Sequence, residues 1–161
     1  MDNLILNWGV EDAGIRTRLS TEDQWVPFFV VLSPSMRCNL RCVGCYSALY
    51  TKDGELNQAE MDRIFSECKS LGAYLSVISG REPYLLQDSL LPLFRKHQDM
   101  FFLTFTNGTL LDEVLVKDLA EAGNVAPAIS GAFYFRSRPC PLLVSVAWSS
   151  VQLSGIVVGG L

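Results

Sequence analysis

The sequence predicts an α/β fold, an incomplete (β/α) barrel of about four βα units. Three observations carry that expectation. Four short apolar runs recur along the chain: 28–32 (FFVVL), 74–79 (YLSVIS), 101–106 (FFLTFT) and 125–130 (VAPAIS). Between them lie segments with helical spacing of apolar residues and recognisable end signals. The polar and cysteine-bearing residues cluster immediately after the apolar runs, where a parallel sheet collects the C-terminal ends of its strands.

The elements follow in order. Phe28–Leu32 reads as a buried parallel strand, because it is apolar without alternation. Asn57, with Glu60 three residues on, marks a helix start. Met61, Ile64, Phe65 and Cys68 then supply one apolar face, and Gly72 ends the helix. Tyr74–Ser79 is the second strand, and a helix over 89–97 follows with Leu90, Leu91 and Phe94 on one side. Phe101–Thr106 is the third strand. Thr109 with Asp112 resembles a capping box, and Leu111, Val114, Leu115 and Leu119 form the helical face up to Gly123. Val125–Ser130 is a weaker strand, since Pro127 withholds a ladder donor. The aromatic residues of the first and third runs are assigned to the core, and His97 to a helix end, either solvated or interacting with the helix dipole.

Composition narrows the function. The 161 residues have 49% hydrophobic and 19% charged side chains and a net charge of −4, a globular balance with no basic stripe for phosphates. Nucleic acid and anionic membrane surfaces are therefore not expected partners. The first residues show no positive region leading into an apolar run, so no signal peptide is read and the expected location is a reducing cytoplasm. Three regions are expected: an N-terminal extension over 1–26, a core over 27–130 and an atypical apolar tail over 131–161. From Pro139 onward the chain carries no charge, which meets the crude length criterion for a membrane span. Its serines, Gln152 and glycines make membrane insertion a poor reading. A truncated or frame-shifted product would explain the abrupt change of composition.

Three of the five cysteines, Cys38, Cys42 and Cys45, fall within eight residues, which points to metal chemistry rather than disulfides. The run Cys38-Asn-Leu-Arg-Cys42-Val-Gly-Cys45 directly follows a predicted strand. One loop of that spacing can present three thiolates to a cubane cluster, and Gly44 eases the turn. Three ligands leave one iron open to a further ligand. The competing reading is zinc, with Cys68, Cys140 or His97 as a fourth ligand, although no second cysteine pair follows.

Through CNLRCVGC the chain resembles the radical S-adenosylmethionine (SAM) superfamily, whose hallmark is CxxxCxxC after the first barrel strand. SGREPY (79–84) is similar to that family's GGEP motif, FTNGTLLDE (105–113) resembles its segment after the third strand, and Ser130 stands where a ribose-contacting residue often lies. The resemblance covers roughly residues 26–130. It implies that Cys38, Cys42 and Cys45 hold a [4Fe–4S] cluster whose open iron chelates SAM. Reductive cleavage would then yield a 5′-deoxyadenosyl radical that abstracts hydrogen from a substrate. It further implies Gly80 and Glu82 at the methionyl end, Asn107 and Ser130 at ribose or methionyl groups, and Tyr46 near the adenine. An external flavodoxin- or ferredoxin-like electron donor follows, together with a small-molecule or peptide substrate that the sequence does not name. Two departures stand out. Arg81 occupies the place of the motif's second glycine, where it would either crowd the site or swing to solvent, and the βα pattern stops after about four units of the usual six or so. The alternative function is a non-catalytic relic that keeps iron–sulfur or zinc and cleaves nothing.

Overall fold

The computed structural model describes residues 14–17, 19, 26–42, 45, 47, 49–50 and 54–130. After a helical stretch at 14–17, the chain runs β1 (Phe29–Leu32), α1 (Gln58–Ser70), β2 (Leu75–Ile78), a single 3-10 turn (Pro83–Leu86), α2 (Gln87–Lys96), β3 (Phe101–Thr106), α3 (Glu113–Ala122) and β4 (Val125–Ile129). The four strands form one parallel sheet in the order β1-β2-β3-β4. Successive parallel neighbours, each pair joined through a helix, make repeated βα units, so the expected α/β architecture is what the chain adopts. The N-terminal extension lies largely outside the described residues, and the apolar tail lies wholly outside them.

The register explains which face is covered. Ile78 pairs with Thr104, and Ser76 with Phe102, on the face that the helices pack against. Phe102 stands at its centre, 5.0 Å from the ring of Phe65 on α1 and 4.7 Å from that of Phe94 on α2. Met61, Leu90, Leu93, Leu115 and Leu119 complete this core. Burial of each such side chain contributes on the order of 1.5–3 kcal/mol.

The opposite face, which a closed barrel would turn inward, is open among the described residues. Phe29, Val31 and Phe105 all point there and are about half exposed. This corrects the reading of 28–32 as a buried strand and of its phenylalanines as core. β1 is an edge strand, and a sheet with helices on one side buries only alternate residues. Val114 is likewise 70% exposed rather than on the buried face of α3, while Leu93, absent from the expected apolar set of α2, is buried.

The helix ends show which polar patterns mattered. Asn57 and Glu60 form the expected reciprocal capping box. At α3 the cap is Asp112 itself, whose carboxylate accepts from the Leu115 N–H at 2.8 Å. Thr109 is not part of that cap, because its hydroxyl is turned back to Asn107. Gly123 ends α3 at φ 74°, a left-handed position that costs glycine little. His97 is not solvated: it is 2% exposed, with Nε2 2.8 Å from Asp62 Oδ1, and Lys96 reaches the other oxygen at 2.7 Å.

Two outcomes are expected. Phe102→Ala should cost about 3–5 kcal/mol in urea unfolding, and Phe105→Ala on the open face far less. Lys96 and His97 hold the Asp62 carboxyl below its ordinary 3.8. The stability it contributes is thus present above that value and lost as pH falls through the lowered one. Melting temperature followed against pH should fall less steeply on the acid side in Asp62→Asn than in the parent.

Candidate functional site

The loop after β1 leaves the sheet under tight control. Pro34 O accepts from the Leu56 N–H at 2.9 Å. Ser35 donates to Glu55 at 3.1 Å and accepts from the Arg37 N–H, while Arg37 pairs with Glu55 at 2.6 Å. These contacts deliver the chain to Cys38, Cys42 and Cys45, all free thiols. The Leu40 N–H donates to Cys38 Sγ at 3.4 Å, and Cys45 Sγ lies 3.2 Å from the Ser47 hydroxyl. Desolvation pushes the Cys42 thiol up, and the neighbouring Cys38 and Cys45 push the same way. Hydrogen bonding to Ser47 draws Cys45 down, with the Arg81 guanidinium acting in the same direction.

The loop after β2 is pressed onto this one. Gly80 sits at φ 103°, and a Cβ there would lie 2.5 Å from the Ser35 carbonyl oxygen. Only glycine allows the two backbones to approach so closely. Arg81 does not swing out to solvent. It leans back along the cysteine loop, half-buried, with Nη1 3.5 Å from Met36 O and Nε buried without a hydrogen-bond partner.

Glu82 is 1% exposed. Its N–H donates to Arg37 O at 3.1 Å. Its carboxylate accepts from the Tyr84 N–H at 3.1 Å, the Thr106 hydroxyl at 2.8 Å and the Asn107 N–H at 2.8 Å. One side chain thus caps the 3-10 turn and ties the ends of β2 and β3 together. Beneath it, Tyr84 and Thr104 share a 2.6 Å hydroxyl bond, and burial pushes the Tyr84 phenol well up.

The loop after β3 closes the arrangement. Asn107 Nδ2 lies 2.8 Å from Asn39 Oδ1 and 3.8 Å from Cys38 Sγ. Its Oδ1 accepts from the Thr109 N–H at 2.9 Å and the Thr109 hydroxyl at 2.6 Å. Asn39 Nδ2 donates to Thr109 Oγ1 at 2.8 Å. Cys38, Gly80, Glu82 and Asn107 are therefore brought together. Ser130, exposed, follows β4, and its N–H donates to Thr106 O at 2.8 Å. Tyr46 and Cys140 lie outside the described residues. Asn39, Thr106 and Thr109 were missed as site residues. The two threonines spaced two apart in an otherwise apolar third strand were the available signal for Thr104 and Thr106.

A family model described as the radical SAM superfamily matches residues 32–132. The chain belongs to the radical SAM superfamily. An Fe-coproporphyrin III synthase of Methanosarcina barkeri is 34% identical over 99 residues, 58% of this chain and 24% of that protein. A probable GTP 3′,8-cyclase of Methanopyrus kandleri is 35% identical over 96 residues, 58% of this chain and 31% of that protein. Among solved structures, SuiB of Streptococcus suis bound to S-adenosylmethionine superposes with a TM-score of 0.60 at 25% identity, over 74% of this chain and 29% of that one. The chain spans about a quarter to a third of the length of these relatives.

Membership implies SAM and a [4Fe–4S] cluster, and the donor set fits in kind: three free thiols on one loop, close enough for their charges to act on one another. No group of three or more histidine, cysteine or acidic side chains is gathered as tightly as a metal ion needs among the described residues. No helix among the described residues is long and apolar enough to cross a membrane.

Two substitutions test the scaffold. Gly80→Ala should drive the β2 loop off Ser35 and lower the melting temperature by several degrees. In Glu82→Gln, either amide orientation points N–H groups at a backbone N–H, that of Tyr84 or that of Asn107. A loss of about 1–3 kcal/mol in unfolding free energy is expected.

Proposed function

We propose that this chain is the cofactor-binding part of a radical SAM enzyme, in which Cys38, Cys42 and Cys45 hold a [4Fe–4S] cluster and the neighbouring loops seat SAM. The observation that carries this reading is the tying of the loops after β1, β2 and β3 into one unit at the C-terminal edge of the sheet, through Gly80, Glu82 and Asn107. When bound, the cluster and SAM supply electron transfer and radical generation. What this chain's residues contribute is presentation of three thiols and a rigid floor beneath them. Gly80 lets the β2 loop lie flat against the cysteine loop, leaving its backbone at the methionyl end. Glu82, buried and already accepting three hydrogen bonds, acts there by holding the loop. Ser130, exposed beyond β4, is available to the ribose, and Tyr46 is assigned to the adenine.

The working location is the reducing cytoplasm, where thiols stay free and a flavodoxin- or ferredoxin-like donor can reduce the cluster. The test is anaerobic reconstitution followed by electron paramagnetic resonance, with 5′-deoxyadenosine assayed by chromatography. A reduced-cluster signal that changes on adding SAM is expected, lost in Cys38→Ser, Cys42→Ser and Cys45→Ser but kept in Cys68→Ser. A cluster indifferent to SAM would leave the relic reading standing, and zinc in place of iron would overturn the cluster.

A further inference from the structure

The amide of Asn107 is fully occupied by the protein, and the way it is occupied assigns it a task. An asparagine side chain has two N–H donors and two acceptor lone pairs. Both lone pairs of Oδ1 are taken by Thr109, through its N–H at 2.9 Å and its hydroxyl at 2.6 Å. A backbone N–H can only donate, so the oxygen must face Thr109 and the NH2 group must face away from it. One N–H then meets Asn39 Oδ1 at 2.8 Å, and the other is directed at Cys38 Sγ at 3.8 Å. Asn39 donates in turn to Thr109 Oγ1, so Asn39, Thr109 and Asn107 form a closed hydrogen-bonded ring. Rings of this kind polarise their members and resist reorientation. Glu82 fixes the backbone beneath, since its carboxylate holds the Asn107 N–H at 2.8 Å.

We propose that Asn107, oriented by Thr109 and Asn39, is a positioning residue that donates a hydrogen bond to the Cys38 sulfur and thereby raises the reduction potential of the cluster Cys38 helps to hold. The proposal rests on the cluster reading above. Its physical basis is that a reduced cluster carries more negative charge on its sulfurs, so a donor at one ligand stabilises the reduced form preferentially. The Leu40 N–H, 3.4 Å from the same sulfur, is a second donor that substitution of Asn107 leaves in place. Effects at Asn107 are therefore a shift, not a loss of the ligand.

The experiment is a redox titration of reconstituted protein followed by electron paramagnetic resonance, with iron content measured in parallel. Asn107→Leu keeps the approximate shape, stays neutral and removes the donor. Its midpoint should move to a more negative potential at unchanged iron content. Thr109→Val, which keeps the backbone N–H that faces the Asn107 oxygen but removes the hydroxyl that closes the ring, should move the midpoint the same way by less. It carries the test alone if Asn107→Leu takes up no cluster. A midpoint equal to the parent's in the cluster-loaded variants overturns the proposal while leaving the cluster reading intact. A parent chain that binds no iron overturns both.

Discussion

The loops at the C-terminal edge of the sheet hang on one buried carboxylate. Glu82 lies at the mouth of the sheet, where strands diverge into loops that cannot bond to one another by ladder geometry. A carboxylate there can accept from several directions at once, and three donors converge on it, one from its own 3-10 turn and two from the end of β3 and the residue after it. Burying an ionisable group with so little exposure is costly unless its acceptor sites are filled, and here neutral N–H and O–H donors fill them. The arrangement converts sequence-distant segments into one surface: the backbone N–H of Glu82 reaches Arg37 in the cysteine loop, while its side chain holds the end of β3.

That surface sits on a sheet with an unequal pair of faces. The helix-covered face carries Phe102, Ile78 and the aromatic contacts that stabilise the chain. Along β3 it turns polar at Thr104 and Thr106, the last positions before the site. Hydrophobic packing therefore ends where the hydrogen-bonded floor begins, and the same strand supplies both. The apolar open face, with Phe29, Val31 and Phe105 half exposed, belongs to an architecture that four strands do not close.

Much of this was legible in the residues. Helical periods and end signals placed the three helices to within a few residues, because Asn57, Gly72 and Gly123 have strong local preferences. The spacing of Cys38, Cys42 and Cys45 singled out the loop after β1, and the loops after β2 and β3 pack against it. Burial was harder to read. An apolar run says that a strand is fit for the interior, but not how many of its faces neighbours cover, so Phe28 and Phe29 were assigned to the core. Local signals also misled where a distant partner won: Thr109 looked like a cap yet bonds to Asn107, and His97 looked like a helix end yet is buried against Asp62. The ring joining Asn39, Asn107 and Thr109 spans some seventy positions in sequence, a separation at which residue type alone carries no pairing information.

Arg81 shows how neighbouring positions in one motif can differ in tolerance. At Gly80 the obstacle to a side chain is backbone, the Ser35 carbonyl, which has nowhere to move. One residue later the side chain finds room and lies back along the cysteine loop toward Met36 O. A guanidinium is the one long cation that remains charged at any working pH, and it is more weakly hydrated than an ammonium, so partial burial costs it less. Placed beside thiols that become anionic when they take up metal, it offsets charge that the loop would otherwise concentrate. The departure from glycine is thus compatible with cluster binding on electrostatic grounds. Its cost is local: the guanidinium Nε is buried without a hydrogen-bond partner.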